Sequence, residues 1–273
     1  SVMAAAPVYA QEAEESAKAE DFEQIAVVGS RAAPRSVADS AVPIDIISDE
    51  EFKQQGATDM VSMMQTVVPS FNVNDQPIND ASTLVRPANL RGMASDHTLV
   101  LVNGKRRHRS AVITFLGGGL SDGAQGPDIS VIPAAALKQV EVLRDGAAAQ
   151  YGSDAIAGVI NFVLNDASEG GSFEARYGSF YEGDGDMIQM SGNVGLPLSD
   201  KGFINLSAEY RTADDTSRSV QRADAAALIA AGNTFVADPA QIWGSPEIKH
   251  DIKLFANAGI ELSATSEAYM FGN

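Results

Sequence analysis

Histidine, serine and clustered acids are the side chains through which this chain could do chemistry, and none stands at a reactive spacing. His97, His108 and His250 are too scattered to present two imidazoles to one metal ion. Ser153 follows Gln150-Tyr151-Gly152 and lacks the Gly-x-Ser-x-Gly elbow that exposes a nucleophile. Glu182, Asp184 and Asp186 alternate along a glycine-rich turn; they could ligate calcium, but acids so placed read more simply as solvated turn residues. Gly117-Gly118-Gly119 is a poor phosphate cradle, because no Lys-Ser/Thr follows it and no strand leads into a helix there. The chain has no cysteine, which excludes disulfides and thiolate ligands and fits an oxidising compartment. No enzyme, metal site or cofactor is expected.

The formal charge of −17 over 273 residues argues against nucleic acid as a partner, since neutralising phosphates requires an excess of Lys and Arg. Against that background Lys105-Arg106-Arg107-His108-Arg109 is a basic patch, either a solvated turn or a partner for acidic groups elsewhere. With 45% hydrophobic and 20% charged residues the chain must fold, as one or two domains.

The elements that would position these residues are legible around Leu99-Val100-Leu101-Val102-Asn103-Gly104-Lys105, a doubly buried strand running into an Asn-Gly turn of type I′. Upstream, Ile44 to Ile47 reads as a strand, and Ser48 with Glu51 as a capping box opening a short helix closed by Gly56. Thr58 is expected to cap a second helix over residues 59–67, with Met60, Met63, Met64 and Val67 on its core face. Residues 132–138 read as a short helix with Pro133 in its first turn, feeding a strand over residues 140–144. In that strand Glu141 and Arg144 point to opposite faces.

Beyond Asn165 the pattern changes. Ile188, Met190, Val194 and Leu196 alternate with Gln189, Ser191 and Asn193; Ile204, Leu206 and Ala208 alternate with Asn205, Ser207 and Glu209. Ile252, Leu254, Ala256, Ala258, Ile260 and Leu262 alternate with Lys253, Asn257, Gly259 and Glu261, with Phe255 as the exception. Phe173, Ala175 and Tyr177 alternate with Glu174 and Arg176 in the same way. A period of two over long runs predicts a wall with one face in lipid and the other in a wet lumen. The connection over residues 212–249 is long and its neighbours are tight, so the long one is expected outside the cell.

Taken together, LRGM (residues 90–93), TLVLVNGKRR (98–107) and VEVLRDGAAAQYGSDAIAGVINFVL (140–164) resemble the plug domain of TonB-dependent outer-membrane receptors. The resemblance implies an α+β plug followed by antiparallel transmembrane strands, a fragment of a barrel of about 22 strands. It divides the chain into the end of a signal peptide (1–10), a flexible periplasmic N-terminus (11–38), the plug (39–165) and the first strands of an incomplete barrel (170–273). Five strands are too few to enclose such a plug, and the front lacks the charged start of a signal, so the chain reads as truncated at both ends.

By position, Glu23, Gln24, Ile25, Ala26, Val27 and Val28 resemble the TonB box, a β-prone peptide offered to the periplasmic energy-coupling protein TonB. The resemblance further implies that Arg91, Glu141 and Arg144 clamp plug to barrel, and that the loops carrying Asn79, Asp80, Arg109 and Phe115 face the substrate. The expected activity is TonB-dependent import of a scarce nutrient such as a siderophore, cobalamin or oligosaccharide, by a monomer in the bacterial outer membrane, surrounded by lipid. The alternative is a ligand sensor that signals without net transport; receptors of that sort carry an extra folded module before the box, and residues 11–21 are too few to form one.

Overall fold

The computed structural model describes residues 25–26, 35–36, 44–53, 59–73, 85–114, 119–145, 147–241 and 244–273. Residues 1–24, Gly56, Thr58, and the segments 74–84 and 115–118 lie outside these. Ile25–Ala26 (β1) pairs antiparallel with Arg35–Ser36 (β2).

The globular part is built on a five-stranded mixed sheet. Its strands are Ile44–Ser48 (β3), Thr98–Val102 (β6), Lys105–Arg106 (β7), Leu137–Leu143 (β8) and Gly158–Leu164 (β9), in the order β3-β8-β9-β6-β7. Only β6 and β9 run parallel. A two-stranded ribbon, Phe71–Asn72 (β4) with Asn89–Leu90 (β5), lies beside it. Every residue of β6 is buried, because its two faces serve two cores. Val100 and Val102 join Val140, Ile160 and Phe162 under the methionines, whereas Leu99 and Leu101 pack with Leu143 and Val159 under Ala155. Asn103 and Gly104 have φ of 47° and 71°, the pair of positive angles a type I′ turn demands. Gly158 is fixed for a different reason: a Cβ there would lie 2.3 Å from the Leu143 carbonyl oxygen, so only glycine lets β9 approach β8.

The capping box forms as the residues require, with the Ser48 amide donating to Glu51 Oε2 at 2.8 Å and the Glu51 amide to Ser48 Oγ at 3.3 Å. It opens the helix Asp49–Lys53 (α1). The second helix, Met60–Val67 (α2), is capped by Asp59 rather than by Thr58: the Asp59 carboxylate accepts the Ser62 amide at 3.0 Å and the Ser62 hydroxyl at 2.7 Å. Met60, Met63 and Met64 are buried in the core. The helix expected over 132–138 shrinks to a 3-10 turn, Ala134–Ala136, and β8 begins at Leu137. Pairing with β9 wins over helix propensity in this alanine run, because Leu137 already stands opposite Leu164 in the sheet.

A second sheet follows, an antiparallel meander of Gly171–Gly178 (β10), Met187–Ser199 (β11), Gly202–Ala213 (β12), Ile248–Ser263 (β13) and Ser266–Gly272 (β14). β11, β12 and β13 contain 13, 12 and 16 residues, more than the roughly 9–11 that a tilted strand needs to cross a hydrocarbon layer. Ile188, Met190, Val194, Leu196, Leu206, Ile252 and Leu254 are exposed on one face, while Gln189, Asn193, Asn205, Ser207, Glu209 and Asn257 are buried on the other. Exposed apolar side chains in continuous rows are the pattern of the outer face of a transmembrane strand wall. Among the described residues no helix is long and apolar enough to cross a membrane, which leaves a strand-built crossing untouched. The 214–247 connection includes the helix Ala223–Ala230 (α3), followed by Gly232 at φ +90°.

Candidate functional site

The candidate functional surface is the contact between the globule and the inner face of the second sheet. Asn257 on β13 reaches inward, donating to the Asn165 carbonyl at 3.0 Å and accepting from Asn103 Nδ2 at 3.5 Å. Asn165 donates to Asn193 Oδ1 on β11 at 3.3 Å, and Asn205 on β12 donates to the Ala167 carbonyl at 3.3 Å. Asn193 also donates to Asn205 and to Ser207 Oγ, the latter at 2.8 Å. The register explains the alignment: Asn193 stands opposite Ser207, and Asn205 opposite Asn257. The result is a seam of neutral amides, each able to donate and accept, with no buried charge to neutralise.

Phe255, the residue that broke the polar side of β13, is the apolar part of the same contact. It is 4% exposed and belongs to the globule's core cluster, and Phe271 of β14 packs against that cluster. Further along β14, Lys105 lies 5.4 Å from the Tyr269 ring centre, and Arg107 donates to Asn273 Oδ1 at 3.1 Å. Part of the basic patch therefore does meet the strands, through a ring and an amide.

Between globule and strands lies a cavity of about 270 Å³, lined on one side by Asp49, Met63 and Ala135 and on the other by Glu174, Arg176 and Gln189. The ion pair Arg176–Glu174 (2.7 Å) sits in its wall. Deeper in the sheet's inner face, Lys253 and Glu209 stand directly opposite and pair at 2.6 Å with their side chains 11% and 3% exposed. The inner face is thus polar and charged, as a water-filled lumen requires.

Arg91 and Arg144 have their partners inside the globule. Arg91 lies 3.9 Å from Asp145, and Arg144 pairs with Asp45 at 2.5 Å, so among the described residues neither reaches the strands. Geometry explains this: Arg144 follows the end of β8, beside β3, whose Asp45 stands opposite Val142. Glu141 is completely buried in β8, accepting from Gln139 at 2.8 Å and Asn161 at 3.0 Å. Of the residues expected to face substrate, Arg109 is exposed, while Asn79, Asp80 and Phe115 lie outside the described residues. Within the expected TonB box, Ile25 and Ala26 form β1, and Glu23, Gln24, Val27 and Val28 lie outside the described residues.

Two of the acids considered for calcium take an arginine as partner, and the third, Asp186, accepts the Tyr177 hydroxyl at 3.1 Å. Arg218 bonds Asp184 at 2.5 Å and Glu182 at 3.3 Å and lies over the Phe180 ring, closing the β10–β11 turn onto the 214–247 connection. Among the described residues no cluster of His, Asp or Glu is arranged to hold a metal ion. The seam was not foreseen from the sequence, although asparagine at inward positions of three successive strands, and a phenylalanine among them, were the signals available.

A mixed-sheet globule seated through inward amides on an amphipathic antiparallel wall is the arrangement of a plug against the strands of a β-barrel. Residues 36–159 match the model of the TonB-dependent Receptor Plug Domain, so this part of the chain is such a plug, and the antiparallel strands that follow are similar in fold to barrel strands of solved receptors. The chain is 33% identical over 135 residues to the "Vitamin B12 transporter BtuB" of Vibrio vulnificus, covering 50% of this chain and 19% of that protein. It is 27% identical over 160 residues to the "Ferric enterobactin receptor" of Pseudomonas aeruginosa, covering 58% and 21%. The crystal structure of the siderophore receptor PirA from Acinetobacter baumannii shares the fold, with a TM-score of 0.58 at 20% identity over 84% of this chain and 30% of that one. The chain therefore spans under a third of the length of these relatives. The family consists of outer-membrane receptors and transporters, not enzymes.

Proposed function

We propose that this chain supplies the periplasmic N-terminus (11–38), plug (39–165) and first wall strands (170–273) of a monomeric, lipid-embedded receptor that imports a scarce nutrient by coupling to TonB. The observation that carries the proposal is the seam. A plug held to these strands chiefly by neutral hydrogen bonds, each contributing about 0.5–1.5 kcal/mol, beside the Phe255 contact and the Lys105 and Arg107 contacts, is firm at rest and can be rearranged by a local pull. The pull would enter through residues 23–28; the extended conformation of Ile25–Ala26 favours a segment that another strand can join. Vitamin B12 and iron–siderophore complexes are the substrate classes that the relatives' names put first. Arg91, Glu141 and Arg144 serve here through their partners within the plug, Asp145, Asn161 and Asp45, to keep the plug itself rigid during that movement.

The test is deletion of residues 23–28 in the complete receptor, in a strain whose growth on vitamin B12 or a ferric siderophore depends on it. Growth should stop while the receptor stays folded in the outer membrane and still binds the nutrient. Uptake at the undeleted rate would refute coupling through this segment.

A further inference from the structure

Ahead of the plug sheet and the wall the chain builds a smaller sheet. Ile25–Ala26 (β1) and Arg35–Ser36 (β2) form an antiparallel ribbon of their own, with Ile25 opposite Ser36 and Ala26 opposite Arg35. Neither strand pairs with the five-stranded sheet of the plug or with the wall. The residues account for a ladder this short. Ile25 opens the β-prone run Ile25-Ala26-Val27-Val28, but Pro34, immediately before β2, has no amide to give a ladder. Among the described residues each strand has one edge in the ladder and one edge without a strand beside it. A ribbon of two strands is marginal in water, and a third strand is what makes such a sheet stable.

A strand from another protein can meet this ribbon in two ways. Joining the open edge of β1 keeps the bonds between β1 and β2 and adds a new row beside them. Displacing β2 gives up existing bonds to make the same new row, so the first is favoured. The first also shortens the path of a pull. With Ala26 paired to Arg35, load on β1 crosses the ladder and runs on to Ile44, where the plug's edge strand β3 begins. With the ladder open, load must first draw out the segment from Ala26 to Arg35, about 30 Å of extended chain.

We propose that the partner's strand adds to the open edge of β1 while Arg35–Ser36 stays paired on the other side, so that residues 35–36 belong to the partner-binding surface as its third strand. The inference rests on the reading of residues 23–28 as the segment that TonB engages, and extends that site to a strand the motif does not include.

The test is binding of the periplasmic domain of TonB to the complete receptor in detergent. Replacing both residues of β2, Arg35→Pro with Ser36→Pro, removes both of its amides and should weaken binding several-fold. Arg35→Ala with Ser36→Ala keeps the amides and should bind as the unmodified receptor does, which separates the ladder from the side chains. Tighter binding by the proline variant would make β2 a competitor for β1, and unchanged binding would leave it outside the site; either overturns the proposal. An equal loss in the alanine variant would do so too, by transferring the effect to the side chains. Deleting residues 23–28 should abolish binding. Should TonB still bind after that deletion, the reading of residues 23–28 fails, whereas abolished binding together with indifference to the prolines overturns the third strand alone.

Discussion

The plug and the wall bury opposite kinds of residue. In the plug, Val100, Val142, Ile160 and Phe162 are almost wholly hidden, and the charges lie mainly at the margins. In the wall, Asn193, Asn205, Glu209 and Asn257 are hidden, and Ile188, Leu254 and Leu262 are exposed. One chain thus folds in two ways: the plug excludes water from a dry interior, and the wall turns its apolar side outward and its polar side to the plug. The difference locates the weak point. Among the described residues plug and wall share Phe255 and Phe271 and meet otherwise through the Lys105–Tyr269 contact and through hydrogen bonds that can be exchanged singly.

The sharpest way to break this comparison is to remove bulk from each side. Phe162, wholly buried in the plug sheet, should cost about 3–5 kcal/mol of plug stability as Phe162→Ala. Leu254→Ala on the exposed face of β13 should leave plug protection within about 0.5 kcal/mol. Hydrogen exchange of β6 and β9 in the complete receptor reads both. Equal effects would mean that plug and wall share one core.

A smaller effect tests the seam itself. Asn257→Ala removes two bonds to the plug, at 3.0 and 3.5 Å, and should loosen the 103–107 and 165–167 segments by about 1–2 kcal/mol. Because the lost partners are uncharged amides, the loosening should be the same at low and high salt. A salt-dependent change would transfer the hold to ion pairs.

Much of this was legible from residue order because the signals were local. The Asn103-Gly104 turn, the Ser48/Glu51 box and the period-two alternation each depend on neighbours within a few positions, and each is where the pattern placed it. The cap of α2 was misassigned because Thr58 and Asp59 are both good cap residues and only the Ser62 contacts choose between them. The seam was illegible for a deeper reason: Asn103 and Asn257 are 154 positions apart, and pairing across that distance is fixed by strand register, not by type or spacing. Phe255 was visible only as an irregularity, since the position that welcomes it is made by another part of the chain.

The smallest effect concerns the clamp at the turn ahead of β11, which differs from the seam in being charged and exposed. The Arg218 side chain, by donating to Asp184, holds that carboxyl below the usual aspartate range and is itself raised by the same bond. A carboxyl depressed in the folded turn contributes its stabilisation in full above its unfolded value of about 3.9 and loses it as pH falls through the lower folded value. Exchange at residues 180–186, corrected for intrinsic rates, should therefore be flat from about pH 7 to pH 5 and rise only below about pH 4. Arg218→Gln should show the faster exchange already at neutral pH. Because the pair faces water, high salt should weaken it too, whereas the amide seam stays unmoved. A clamp indifferent to both acid and salt would mean that the Phe180 ring beneath Arg218, not the two carboxylates, closes the turn.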